Sequence, residues 1–265
     1  MPTSIYPTLH LQEMQTSSGS DFLLNVDQLS AYIEKNPNVW TLHRHNFYHI
    51  VFFTKGSGSH LIDFNKYNVA ADSIYFMSPG QVHQWHFDNN VEGYVINFSS
   101  TLFDKLAMHS QFVSNFKFLN PNKSEQVFYL SNPLNKEIQN YFQLLLQEHQ
   151  HKATHYELKI TTILLQLFIA IDRAFFNNNN NIVDNTSQKV IFEQFESLVD
   201  KHFNTLKLPK DYAALLFISS HHLNAISKFC SNKAAGAIIR ERIILEAKRM
   251  LINWKISISE IANKL

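Results

Sequence analysis

From residue 9 to 98, apolar and polar positions alternate in short runs broken by turn residues, the period-two pattern of half-buried strands. The strongest run, 42–54 (LHRHNFYHIVFFT), is rich in aromatic and β-branched residues and ends at Gly56-Ser57-Gly58, a turn signal. Runs at 60–64, 73–77, 82–87 and 93–98 continue the pattern. Many short strands at this spacing predict a sandwich or a small barrel. After Ser99-Ser100-Thr101, which offer helix caps, the period becomes helical. Leu102, Phe103 and Leu106 open one stretch, and 135–150 and 156–176 read as longer amphipathic helices. Leu144, Leu145, Ile163, Leu164, Leu167 and Ile171 are their expected buried set, packed either on the strands or against a second subunit.

Five consecutive asparagines at 177–181, followed by Asp184, Asn185 and Thr186, read as a linker. The expected division is a β domain over 1–130, a helical dimerisation or packing region over 131–176, a linker over 177–187 and a helical domain over 188–265. Pro209 suits the first turn of a helix, where its missing N–H costs nothing. Within 212–228 (YAALLFISSHHLNAISK), Ala213 and Leu216 mark the inner face of a short helix. The turn Phe217-Ile218-Ser219 follows, with the Ser219 hydroxyl placed to cap the next helix. That helix turns Leu223, Ile226 and Ser227 inward and Ser220, His221, Asn224, Ala225 and Lys228 outward. A long helix over 240–251 carries an apolar stripe of Ile243, Ile244, Ala247 and Leu251, and 256–265 (ISISEIANKL) opens another.

On HLNAISK, ERIILEAKRML and SISEIA, in that order, the chain resembles the AraC/XylS family of bacterial transcription regulators, closely over 188–265 and more loosely elsewhere. The resemblance implies an α+β chain. A cupin-like β-barrel with following helices precedes an all-α domain of two helix-turn-helix units joined by a long helix. The second unit is expected to be incomplete, since the sequence stops after its first helix. Three positions depart from the family pattern. Phe217 stands where Gly or Asn tolerates positive φ, so strain or a different turn is expected there. Ala225 replaces a frequent long polar side chain, and Asn232 replaces the glycine that ends the recognition helix. The implied function is sequence-specific regulation of transcription in response to a small-molecule effector. Its expected partners are double-stranded DNA, the effector, a second copy of the chain in a homodimer, and RNA polymerase. Ser220, His221, Asn224 and Ala225 would face bases, with Asn224 bidentate to an adenine edge. Lys228, Lys233 and Arg240 would hold phosphates.

His43, His45 and His49 share odd parity in one predicted strand and so one face. His83 follows the Pro79-Gly80 turn. The arrangement H-x-H-x3-H-x6-G, then P-G-x2-H, looks like the two cupin motifs, in which three His and a Glu surround a metal; here His49 occupies the Glu position. Imidazole suits Zn, Fe, Cu or Ni. The preferred expectation is nevertheless an effector pocket with no metal and no cofactor, formed by His43, His45, His49, His83, Phe47 and Trp85. His60 and His86 are expected to lie outside that face. Two further readings stay open: a metal-dependent cupin enzyme using the same four histidines, and a shortened regulator that pairs but binds DNA poorly.

Composition supports the two-part division. Residues 186–265 carry 12 Lys/Arg against 7 Asp/Glu, and the preceding residues 11 against 15. A basic end on a mildly acidic body favours phosphate contact. The longest apolar run, 160–171, is too short to span a bilayer and is broken by Gln166. No secretion leader is evident, and the lone Cys230 has no internal partner, so a cytoplasmic location is expected. No Ser/His/Asp order, phosphate-binding glycine loop or paired carboxylate stands out, which argues against an enzyme.

Overall fold

The strand-rich half forms two sheets, and a computed structural model describes residues 7–11, 24–99, 101–103, 116–120, 126–176, 187–251 and 256–265. The chain divides into two units, Met1–Asn179 and Asn180–Leu265. Ser100, Leu106 and the asparagine-rich stretch lie outside the described residues. Ser187, the last residue of the expected linker, is already helical.

The first unit holds ten short strands among the described residues: β1 (Thr8–Leu9), β2 (Leu24–Gln28), β3 (His43–His45), β4 (Tyr48–Lys55), β5 (Gly58–Ile62), β6 (Asn65–Val69), β7 (Ser73–Met77), β8 (Val82–Phe87), β9 (Glu92–Phe98) and β10 (Val127–Tyr129). One five-stranded sheet runs β1-β3-β8-β5-β6 and the other β10-β7-β4-β9-β2. The run expected as one strand over 42–54 is therefore two. A bend at Asn46-Phe47 carries the chain from the first sheet to the second. A single strand has one hydrogen-bonding plane; breaking it lets neighbouring histidines approach the interior from opposite walls.

The second sheet is buried on both faces, which explains its near-continuous hydrophobic strands. Val51, Phe53 and Val95 pack with Ile62 and Trp85 of the first sheet. The alternate residues Ile50, Phe52, Ile96 and Phe98 pack instead with Phe142 and Phe168, from the helices α2 (Leu134–His151) and α3 (Tyr156–Phe175). A short helix, α1 (Leu29–Lys35), buries Leu29 and Tyr32 in the intersheet core. Of the expected helical core, Leu145, Ile163, Leu164, Leu167 and Ile171 are buried. Leu144 is the exception and lies exposed, one position round the helix from the buried stripe of Ile138, Phe142 and Leu145.

The second unit contains α4 (Ser187–His202), α5 (Pro209–Leu215), α6 (Ser220–Ser231), α7 (Ala235–Leu251) and α8 (Ile258–Lys264). Its core joins Phe195, Val199, Tyr212, Leu223, Ile226 and Ile239. Pro209 takes the first turn of α5. Ser219 caps α6, its Oγ accepting from the His222 N–H at 3.1 Å. Phe217 adopts φ 56° between the two helices, so the turn keeps its left-handed geometry despite the bulky residue, which is 96% exposed. The Ile218 N–H reaches back to the Ala213 carbonyl at 3.0 Å and closes the corner. Asn232 ends α6 at φ 57°, the role its residue type suggests. Ser257 and Glu260 form a reciprocal capping box on α8.

The apolar stripe expected on 240–251 is corrected in part. Ile243 packs against the core and Ala247 is half-buried, but Ile244 and Leu251 are half exposed, while Ala235, Ile239 and Arg249 are the buried residues of α7. Arg249 tolerates burial because its guanidinium bonds to Glu246, which also receives Arg242. Charge pairing thus covers a turn that hydrophobicity alone assigned to the core.

Candidate functional site

Alternation sets the intersheet interior: every second side chain of each strand faces it, and turns reset the phase between strands. His43 and His45 project from β3 and His83 from β8, with His43 directly paired to His83 in register. His49 enters from β4 on the opposite sheet, where its register partner is Asn97 of β9. His60 was expected outside this set and belongs inside it. On β5 the inward phase falls on Gly58, His60 and Ile62, and His60 sits in register with Trp85. The signal was present in the alternation of 58–62, whose phase is independent of that of 43–49 because parity does not carry across a turn. His86 is exposed on β8, outside the face as expected.

The five interior histidines are 0–3% exposed. The His43 Nδ1–H donates to the Thr41 carbonyl at 2.7 Å, leaving Nε2 with a lone pair. The His83 Nδ1 meets His60 Nε2 at 2.9 Å, and the His83 Nε2 faces His45 Nε2 at 3.3 Å. His49 Nδ1 donates to the Asn97 side-chain carbonyl. Phe47 stacks on the His45 ring, with centroids 4.5 Å apart and planes 9° from parallel. Trp85 lies edge-on to His60 and His83. The six expected pocket residues therefore converge, with His60 as a seventh.

Among the described residues, several sealed polar atoms here have no hydrogen-bond partner: His43 Nε2, His49 Nε2, His60 Nδ1, Trp85 Nε1 and the Tyr32 hydroxyl. Buried polar atoms are ordinarily paired with protein, water or a ligand, so these are the atoms that a molecule entering the interior would engage. Burial also suppresses charge. It pushes His49 down to about 3, partly offset by its bond to Asn97. Burial, and then the neighbouring histidines, hold His45, His60 and His83 well below the usual imidazole range. His43 is lowered by burial against its bond to Thr41. The interior thus presents neutral imidazoles, the ligating form.

Nitrogens of His43, His45 and His83 all lie within 4.8 Å of one another, a set able to hold a metal ion. The donors fit a borderline divalent ion on chemistry: three neutral imidazoles, one of them with a carbonyl fixing its tautomer.

The second candidate surface is α6. His221, Ala225 and Lys228 are exposed along it, and Ser220 is half-buried at its first turn. Lys233 and Arg240 lie exposed beyond it, with Lys233 paired to Glu241 at 2.7 Å. Asn224 differs from expectation. It is half-buried, and its Oδ1 accepts from the Ala235 N–H at 3.1 Å. That N–H is one of the unpaired donors at the start of α7, so the amide oxygen serves as a cap between helices. A bidentate adenine contact would have to share or surrender that oxygen.

The AraC-like ligand binding domain family matches this chain over residues 13–168. No curated protein matches it. Among solved structures, ToxT from Vibrio cholerae is 15% identical and covers 92% of this chain and 88% of its own, with a TM-score of 0.44. The AraC-like transcriptional activator CuxR is 13% identical, covering 84% of this chain and 73% of its own at a TM-score of 0.34. An oxalate decarboxylase of Bacillus subtilis is 13% identical over 36% of this chain and 31% of its own, with a TM-score of 0.20.

Proposed function

Because the chain belongs to the family of AraC-like ligand-binding domains, we propose that it is a DNA-binding transcription regulator whose intersheet interior receives a small-molecule effector. The observation that carries the DNA half is the corner between α5 and α6: a capped helix, set by a tight turn, with His221, Ala225 and Lys228 exposed along one side. A helix of this kind enters a major groove with its first turn at the base edges. Ser220 and His221 face bases in this reading, and Lys228, Lys233 and Arg240 neutralise phosphates. Asn224 holds the start of α7 through its oxygen. Ala225 permits close approach of the helix backbone.

The chain acts in the cytoplasm as a homodimer on double-stranded DNA, with RNA polymerase as the downstream contact. Exposed Leu144 and Leu158 on α2 and α3 support pairing through these helices. No helix among the described residues is long and apolar enough to cross a membrane. Effector binding shifts DNA affinity by whatever difference it makes between two arrangements of the protein.

Selection from a random double-stranded pool by the purified chain tests this. One sequence class is expected to be enriched. On that sequence, Lys228→Ala should lower the slope of log affinity against log salt by about 0.9, and His221→Ala should cost about 1–3 kcal/mol at a single base pair. Equal binding to all sequences, without enrichment, overturns the reading.

A further inference from the structure

We infer that Phe229 is a base-reading residue of α6, its ring meeting the 5-methyl group of thymine, with Ala225 beside it leaving room for the approach. The inference rests on the proposed DNA binding and names the base chemistry this helix selects. Three observations lead to it.

The first is the line of the side chains. Residues four apart on a helix lie one above another, so His221, Ala225 and Phe229 form a single row along α6. All three are exposed, Phe229 to 70%. Leu223, Ile226 and Ser227 of the same helix are buried, so the row belongs to the outward side. The core of this unit is built without the Phe229 ring.

The second is what the helix has left for polar reading. Adenine is recognised by an amide that accepts from N6–H and donates to N7, and guanine by two donors. The Asn224 oxygen already accepts from the Ala235 N–H at 3.1 Å, so the accepting half of that amide is engaged. Ala225 carries no polar side-chain atom. His221 and His222 are exposed at the first turn, but further along the row the helix presents carbon. The thymine methyl is the one alkyl group on the major-groove edge of a base pair. Carbon on the helix therefore meets carbon on the base.

The third is charge. Lys228 is exposed directly before Phe229, and Arg240 is exposed further along the chain. Residues 186–265 carry 12 Lys/Arg against 7 Asp/Glu. An apolar ring bordered by cations fits a groove in which methyl groups lie between two rows of phosphates. The competing occupant is an apolar face of another protein, for which the bordering charge has no use.

Deoxyuridine pairs as thymidine does and lacks only the methyl, so it removes the contact from the DNA side. Phe229→Gln removes it from the protein side, at an exposed position and with a good helix former. The site enriched by the full chain from a random double-stranded pool is remade with each thymine exchanged for deoxyuridine in turn, and affinities are measured by fluorescence anisotropy. At least one exchange should weaken binding about fourfold, the step for burying one methyl-sized group. At that thymine the exchange should cost Phe229→Gln nothing further, so the two losses do not add. Phe229→Leu, still apolar, should keep a preference for thymine over deoxyuridine. A ring that only stabilised α6 would weaken every site alike and leave the methyl effect intact. An enriched site that tolerates every exchange, as expected for a ring reserved for a protein partner, overturns the inference and leaves the regulator reading standing. So does a set of exchanges that all cost Phe229→Gln what they cost the parent. If no sequence is enriched, the regulator reading falls and this inference falls with it.

Discussion

The two units dispose of their polar groups in opposite ways. The first turns histidines, an indole and a phenol into a sealed interior and leaves nitrogen and oxygen atoms there unpaired. The second keeps its named polar side chains outside or ties them locally, as Ser227 does by donating to the Leu223 carbonyl one turn back at 2.8 Å. A helix satisfies its own backbone and can place polar residues on a solvent face at no cost. Two facing sheets have no such freedom, because each inward position is fixed by strand phase. Unpaired polar atoms in the first unit's interior thus cost it stability. Polar residues in the second unit support the fold or stand ready at the surface.

Acid should expose this contrast most strongly. Unfolded imidazole titrates near 6.5, whereas folded His49 stays neutral down to about 3. The unfolded state therefore takes up protons first as pH falls. The stability His49 contributes is complete above pH 6.5 and is lost progressively toward 3, at about 1.4 kcal/mol per unit. In chelator, lowering the pH from 6.5 to 4.5 should cost roughly 3 kcal/mol from His49 alone, with His43, His45, His60 and His83 shifted in the same direction. Urea melts at stepped pH, resolved by hydrogen exchange in separate peptides, should show residues 43–87 weakening well before residues 187–251. Equal acid sensitivity in both would break the comparison.

A smaller effect is expected outside the interior: Ser219→Ala removes the α6 cap and should destabilise the second unit by about 1 kcal/mol. If peptides over 209–231 exchange no faster in that variant, the corner is held by packing alone.

Several features were legible in the residues themselves because their causes are local. Pro209, Ser219 and Asn232 each fix a helix end through their own backbone chemistry, and each end lies where that chemistry puts it. Phe217 announced a left-handed position held by an unsuitable residue, and it has φ 56°. The parity of His43 and His45 predicted a shared face. Their relation to His49 was half legible: the parity was right, but the strand is broken and the ring arrives from the other wall.

By itself, then, the sequence determined what neighbours along the chain can enforce: the alternation of strands, the helix caps, the change from β to α and the basic end. Only the tertiary structure decided which residues meet across sheets and between helices. It brought His60 to His83 through the pairing of β5 with β8, and it gave the Asn224 oxygen to the first turn of α7. Strand pairing and helix packing join residues tens of positions apart, and no local period records that register. The histidine cluster is a property of the pairing, written in the chain only as five imidazoles waiting for their strands to meet.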